Sequence, residues 1–276
     1  ARELYEKTVK AEFRFGYHNY GLALLNGNGI SMNKKEAAKW LKLSADRGRC
    51  TAMFYYAKIL SNGDGIKKNK AEAAKYYKRA ADQGHIFSMN NYGVMLNYGD
   101  GIEVNKEVGL KYLKKAFDCG DDMGKLNYAV IQKNKKDKDD NNKSIKYFKE
   151  LADDGNNSAR ILYGNYLKKG VRIPMDKKEA AKYFKMAADD GSIDGMMNYA
   201  KMMGKGDGVP LNIQEAIKYY QKALIKNGKK ASEKLKQLSL FYSCCLWFDL
   251  IKNYLFLPLD LLFWESISEI VYFETW

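Results

Sequence analysis

Small residues, tyrosines and alanines recur along the chain at intervals close to 36 residues. In the first half of each period, a small residue is followed four positions later by tyrosine, and the tyrosine is followed by Gly or Ala. Residues at this spacing lie on one face of an α-helix. The pattern therefore predicts one helix, helix A, in every period. Its tyrosines are Tyr20, Tyr56, Tyr92, Tyr128, Tyr163 and Tyr199.

The second half of each period carries a different helical pattern. It reads EAAKW at 36–40, EAAKYY at 72–77, EAAKYF at 179–184 and EAIKYY at 215–220. Each copy begins near Asn or Asp and ends at a recurring glycine, as a capped amphipathic helix does. The segments NGNGI, NGDGI, YGDGI and GKGDGV join the two halves, and their glycines favour a tight turn with positive φ. Each period is therefore predicted to be helix A, a turn and helix B.

A single hairpin of this kind cannot bury its apolar face, so consecutive units are expected to stack. We delimit six units, 13–48, 49–84, 85–120, 121–155, 156–191 and 192–228. The turn of the fourth unit, KNKKDKDDNN, lacks the paired glycines, which predicts a longer solvated loop. We assign residues 13–238 to the repeat array, 1–12 to the end of a truncated preceding repeat, and 239–276 to an apolar aromatic tail.

The small-xxx-Tyr-small pattern, the NGDGI turn and the EAAKYY…AADQG helix resemble the Sel1-like repeat family, relatives of the tetratricopeptide repeats. The resemblance covers about residues 1–238. It implies an all-α fold, a right-handed α/α superhelical solenoid of about six 36-residue helix-turn-helix repeats. It also implies that the A helices line a concave wall used to assemble other proteins.

The residue before the helix A tyrosine is asparagine in four of the six units. Related repeats hold extended peptides with Asn at the matching place, because a carboxamide both donates to and accepts from a peptide backbone. The alternative is that these side chains bond to the neighbouring helix or face water. Three further candidates lie three positions along A helices, and the lysines among them suit acidic groups. The tentative peptide-binding residues are Asn19, Asn91, Asn127, Asn198, Lys58, Asn165 and Lys201.

The formal net charge of the chain is +14, and the first 238 residues carry +18, since residues 239–276 hold one lysine and five acidic residues. The positive electrostatic potential of such a charge attracts acidic proteins, anionic membranes and nucleic acid alike. Lysines on helix B favour a solvated outer face, and aromatic residues at core spacing do not form a stacking platform for single strands. We therefore expect protein partners, through extended or acidic segments, and no specific nucleic acid.

Signatures of catalysis are missing from the sequence. His18 and His85 have no Cys or carboxylate at metal-ligand spacing, and GxSxG, HExxH, GxxxxGK[ST], HRD and DFG do not occur. Acidic pairs such as Asp153–Asp154 recur in register at the end of helix B, which indicates a structural role. We expect no enzyme activity, catalytic residue, bound metal or cofactor. The four irregularly spaced cysteines and the lack of an apolar leader favour reduced thiols and a cytoplasmic location.

The tail 239–276 departs from the repeat in both register and composition. Asp249, Lys252 and Asp260 interrupt its apolar stretch, which opposes a membrane-spanning helix. It is compatible with a terminal helix pair, with an interfacial anchor for a membrane or partner, or with a non-native extension. The leading hypothesis is a cytoplasmic non-catalytic scaffold. The alternatives are the regulatory repeats of a truncated signalling protein such as a kinase, and a membrane-associated adaptor in endoplasmic reticulum quality control that docks through residues 240–264.

Overall fold

The computed structural model describes residues 16–132, 138–226, 231–234 and 236, and these residues form helices and connecting turns. The predicted repeat end at 1–12 and the predicted tail at 239–276 lie outside them. Consecutive helices form hairpins in which odd-numbered helices correspond to helix A and even-numbered helices to helix B. The predicted all-α fold of helix-turn-helix repeats is confirmed. The helices are α1 Gly16–Asn26, α2 Lys34–Asp46, α3 Cys50–Asn62, α4 Lys70–Asp82, α5 Ile86–Tyr98, α6 Lys106–Asp118, α7 Asp122–Gln132, α8 Lys138–Asp153, α9 Asn157–Lys169, α10 Lys177–Asp189, α11 Ile193–Met203 and α12 Ile213–Ile225.

Helix B begins at a capping Asn or Asp, as its sequence predicts. The Oδ1 atom of Asn69 accepts a hydrogen bond from the backbone N–H of Glu72 at 3.0 Å, and its amide donates to the Glu72 carboxylate at 3.2 Å. Such reciprocal caps fix the first turn and contribute about 1 kcal/mol each. The same backbone bond is made at other B helices by Asn33, Asn105, Asp176 and Asn212.

The glycine-rich turn packs against helix B of the preceding repeat. Gly65 has a φ of +75°, and a Cβ atom there would lie 2.7 Å from the carbonyl carbon of Lys34 and from the backbone nitrogen of Lys35. Both the backbone angle and the close approach therefore require glycine. The Lys34 ammonium pairs with Asp64 of the same turn at 3.1 Å. These contacts set how closely one repeat approaches the next.

The chain divides between Tyr147 and Phe148 into two compact units. Each of them contains several of the helix A–helix B pairs, which are called repeats from here on, and the two halves are called the first unit and the second unit. In the first, the core joins buried Ala52, Tyr56 and Tyr76, and the two tyrosine rings meet edge to face at 4.9 Å between centroids. In the second, Tyr199 and Tyr219 repeat this packing at 5.0 Å. The small and aromatic residues of the repeat thus fill the space between helix A and helix B, as the periodic pattern predicts.

The recurring aspartate at the end of helix B is a structural acceptor. In the second unit, the Tyr183 hydroxyl of α10 donates to Asp153 of α8 at 2.6 Å, and Lys149 pairs with the same carboxylate at 2.6 Å. The first unit makes the same bond from Tyr76 to Asp46 at 2.7 Å. Each bond joins a B helix to the B helix before it. The aspartate at the end of helix B therefore has a structural function. It accepts a hydrogen bond from the tyrosine that lies 30 residues later in the chain.

Replacing Tyr183 with Phe should lower the stability of the second unit by about 1 kcal/mol, because the ring stays and one hydrogen bond is lost. Bonds from Lys149 and Tyr183 hold the pKa of Asp153 below its ordinary 3.8. Their contribution is present above about pH 4 and is lost as the pH falls through that lowered pKa. Urea unfolding at pH 7 and pH 3 measures both effects. Tyr166→Phe is the control, and an equal loss there would contradict the role of the Tyr183–Asp153 bond.

Candidate functional site

The A helices of the first unit place the predicted asparagines in different surroundings. Asn19 is exposed on α1. Burial raises the pKa of Tyr77 to about 12, and a hydrogen bond with half-buried Asn91 opposes that rise. The Asn127 amide donates to Asn90 Oδ1 at 2.8 Å, which ties α7 to α5. Two of the predicted carboxamides therefore contact neighbouring helices, and both remain half-buried at the surface.

An aromatic cluster, which we define as Phe54, Tyr55, His85 and Phe87, packs through Phe54 against Tyr77, the hydrogen-bond partner of Asn91. The Phe54 ring lies 5.0 Å from His85 and 6.0 Å from Phe87, between centroids. Phe87 is 58% exposed, so this edge of the cluster is open to solvent. Sequence analysis did not identify this cluster. The sequence does contain a signal for it. Phe54 and Tyr55 are aromatic residues directly before the helix A tyrosine Tyr56, at positions outside the periodic core pattern.

His85 belongs to the aromatic cluster and His18 lies next to it. Both imidazoles are neutral at neutral pH. Burial, and secondarily the charge of Arg49, lower the pKa of His18 to about 4. Burial also lowers the pKa of His85. The His18 ring lies 6.0 Å from Tyr55 of the next A helix. At neutral pH the two imidazoles therefore pack as uncharged rings and add to the aromatic character of the surface.

Lys58 is exposed on α3 of the first unit, and the A helices of the second unit carry the remaining three candidates in a basic setting. Asn165 of α9 and Asn198 of α11 are half-buried, and Lys201 is exposed. The charges that act on Lys201 come from Lys168 and Lys234. We define the basic cluster as Lys168, Lys201, Lys205 and Lys234. Of these, sequence analysis identified Lys201 only, because the others occupy different positions in their repeats.

One carboxylate lies within the basic cluster. Asp207 pairs with Lys177 at 2.8 Å and with Lys168 at 3.5 Å, and the first of these bonds is the main reason that its pKa is lowered. Desolvation comes first in lowering the pKa of Lys201 and of Lys205, and neighbouring lysines lower both further.

The described residues also bear on metal binding and on membrane insertion. Among residues 16–132, 138–226, 231–234 and 236, no group of three or more His, Cys, Asp or Glu is arranged to hold a metal ion. In the same part of the chain, no helix combines the length and apolarity needed to cross a membrane. The arrangement presents aromatic rings, carboxamides and ammonium groups on helices held by buried cores.

Comparison with protein families matches the Sel1 repeat to six segments, which are 15–48, 51–85, 86–121, 135–156, 158–192 and 193–227. The fourth segment is the shortest, and it begins within the sequence KNKKDKDDNN, where a loop was predicted; residues 138–142 of that sequence instead belong to α8. The matched segments make up more than half of the chain. Comparison with curated proteins gives no match.

Solved structures of related repeat proteins share this fold. A Sel1 repeat protein from Oxalobacter formigenes is 25% identical with a TM-score of 0.71, over 76% of this chain and 84% of that one. A protective antigen of uropathogenic Escherichia coli strains, which displays an SLR fold, is 28% identical with a TM-score of 0.64. The match covers 84% of this chain and 50% of the antigen, so the chain spans half of that protein.

Proposed function

The chain belongs to the Sel1 repeat family, and on that basis we propose that it is a non-catalytic scaffold that binds segments of other proteins along the faces of its A helices. Sel1 repeat proteins are generally protein-interaction scaffolds. The chain itself is proposed to act in the cytoplasm, without cofactor or metal. Its partners are proposed to present extended or acidic segments to a concave wall formed by the A helices.

The observation that carries this proposal is the contrast between the helix A and helix B surfaces. Helix A presents groups that suit a partner, namely the exposed Phe87 ring, the exposed Asn19 carboxamide and the ammonium of Lys58. On helix B, several lysines pair with acidic residues one turn away, as Lys78 does with Asp82 at 2.7 Å. A surface that already neutralises its own charges offers less to a partner than one that does not.

The carboxamide row is tested by a crosslinking pull-down from extract of the source cell, using the whole chain. Asn19 and Asn198 are the most informative positions, because the structure gives neither a hydrogen bond to another described residue. We expect Asn19→Ala with Asn198→Ala to reduce capture of specific proteins on the order of tenfold, as the loss of two peptide-backbone contacts implies. Asn91→Ala with Asn127→Ala forms a second variant, whose folding is followed by circular dichroism.

The matched control replaces two exposed helix B lysines, Lys39→Ala with Lys75→Ala. Capture that is lost in the Asn19/Asn198 variant and kept in this control supports binding along helix A. Capture that falls only in the lysine control would overturn the proposal, because the binding surface would then be helix B. Unchanged capture in all variants would overturn binding through the carboxamide row.

A further inference from the structure

A cavity of about 720 Å³ lies between α6 and α7 in the first unit. Its volume is within the range of ligand pockets in proteins, about 300–1,000 Å³. Tyr128 and Gln132 line it from α7, and the Gln132 amide donates a hydrogen bond to the Tyr128 hydroxyl at 2.6 Å. The residues that line it from α6 are Lys106, Glu107, Val108, Leu110, Lys111, Tyr112, Lys114 and Lys115.

The floor of this cavity is more apolar than the corresponding grooves on the preceding B helices. Glu36 lines the groove on α2 and Glu72 lines the groove on α4, and each also contacts its capping asparagine. Val108 occupies this position in α6, one period further along the chain. Leu110 is half-buried where α4 has the smaller and fully covered Ala74. The third repeat therefore replaces a carboxylate with an aliphatic surface at this place.

Four lysines and one glutamate line the cavity. Lys111 and Lys114 pair with acidic residues one turn away on α6. Lys115 lies 5.8 Å from the centroid of the Tyr112 ring, and its charge acts on Asp82 of α4. Three of the four lysines therefore have an acidic neighbour that partly compensates them.

The fourth lysine, Lys106, lacks the partner that its equivalents have. Lys34 pairs with Asp64 at 3.1 Å and Lys70 pairs with Asp100, and each aspartate belongs to the glycine-rich turn of the next repeat. The sequence of the fourth repeat contains no such turn, and Lys106 makes no ion pair in the part of the chain that the structure describes. An ammonium that is compensated in other repeats is therefore available beside the apolar floor.

We propose that this cavity is the docking site for an acidic peptide segment of a partner protein, which inserts one large apolar side chain against Val108 and Leu110 and places a carboxylate beside Lys106. The apolar floor suits the inserted side chain, and the excess of lysines at the rim suits the flanking carboxylates. The inference rests on the proposed scaffold function and adds a second surface to it, apart from the carboxamide row of helix A.

The open shape of the cavity favours a peptide over a small ligand. Small-molecule pockets bury most of the surface of their ligand. Here the four lining lysines and Glu107 are exposed, so the cavity is open to solvent along α6. An extended segment can cross such a cavity, with one side chain inside it and its neighbours at the charged rim.

The test measures fluorescence anisotropy with the full chain and three labelled peptides. The first has one tryptophan between two short runs of glutamate, the second has glutamine in place of each glutamate, and the third has alanine in place of the tryptophan. Val108→Glu introduces the residue that the grooves on α2 and α4 already contain, so the repeat accommodates it. Val104→Glu is the matched control, because Val104 is 51% exposed outside the cavity and Lys68 shows that its position accepts a charged side chain.

We expect the first peptide to bind more tightly than either twin, and its affinity to fall as salt rises. Val108→Glu should weaken binding on the order of tenfold, because it replaces apolar floor with a repelling carboxylate, and Val104→Glu by less than about twofold. Lys106→Gln should weaken binding about threefold, and Lys34→Gln should have a smaller effect because Lys34 is already paired. In nuclear magnetic resonance spectra, the amide shifts caused by the first peptide should be largest in α6 and α7.

Equal losses in Val108→Glu and Val104→Glu would overturn the assignment, since they would indicate attraction by the overall charge and no local site. Equal binding of either twin would overturn it too. Dodecanoate that displaces the first peptide more effectively than unlabelled peptide does would make the cavity a site for small amphiphiles. Failure here is separable from failure of the scaffold proposal. Protein capture that depends on Asn19 and Asn198 without peptide binding would reject this inference alone, and peptide binding without protein capture would reject the scaffold alone.

Discussion

Replacing Phe184 with alanine should lower the free energy of local unfolding of the second unit by about 3–5 kcal/mol. Phe184 lies on α10 and has no exposed surface. Its ring fills the space above Gly164 of α9, where an added Cβ atom would lie 2.7 Å from the Phe184 Cε1 atom. When the Phe184 ring is removed, Gly164 has no side chain that could fill the cavity. The lost burial and the residual cavity therefore both contribute to the expected cost.

Amide hydrogen exchange of α9 and α10 in the full chain measures this cost, because it reports local unfolding free energies. Met175→Ala is the matched control. Met175 lies in the turn of the same hairpin, is 61% exposed, and should change stability by less than about 0.5 kcal/mol. A Phe184 effect no larger than the Met175 effect would mean that the aromatic position of helix B does not hold the hairpin together.

The features of the fold that sequence predicted are those set by local rules. Helix B starts where Asn69 and its equivalents can cap, and that signal lies within three residues along the chain. The tyrosine of helix A is separated from the helix B tyrosine by a fixed number of residues, so a periodic pattern brings the two rings together in every repeat. Gly65 needs a positive φ and a close approach, and its place in the NGDGI turn already indicates both.

The features that sequence did not predict depend on which side chains meet between neighbouring helices. Asn91 and Asn127 occupy equivalent positions, but one bonds with a tyrosine of helix B and the other with Asn90 of helix A. The difference follows from the neighbour that each repeat supplies. Arg160 is buried and donates to the Ala152 carbonyl at 3.1 Å, although a polar residue at that position gave no signal in the periodic pattern.

The basic cluster escaped prediction for a related reason. Lys168, Lys201 and Lys205 stand at different positions of their repeats, so no alignment of repeats brings them into one column. Lys168 lies on α9 and Lys201 on α11, which are successive A helices, and Lys205 lies in the turn that follows α11. Charge counted along the sequence instead draws attention to helix B, where lysines are frequent.

Substituting Gly195 with valine should cost about 3 kcal/mol of local stability in the second unit, in the upper part of the range for overpacked sites. A Cβ atom at Gly195 of α11 would lie 2.6 Å from the backbone nitrogen of Ala188 and 2.7 Å from the carbonyl carbon of Ala187. Backbone atoms of α10 cannot rotate away as a side chain can, so the two helices must move apart. The equivalent Ala159 is completely buried, so in the preceding repeat the same position accommodates a methyl group.

Amide exchange of α10 and α11 measures the effect, with Asp194→Val as the matched control. Asp194 is exposed on the same turn of α11, so valine there adds the same side chain outside the core and costs about 0.5 kcal/mol through loss of a favourable charge near the helix start. If Gly195→Val and Asp194→Val cost the same, α10 and α11 separate without penalty and the small residue has no steric role. A large difference would mean that the distance between α10 and α11 determines the size of the residue that fits at position 195. The repeat pattern alone does not specify that distance.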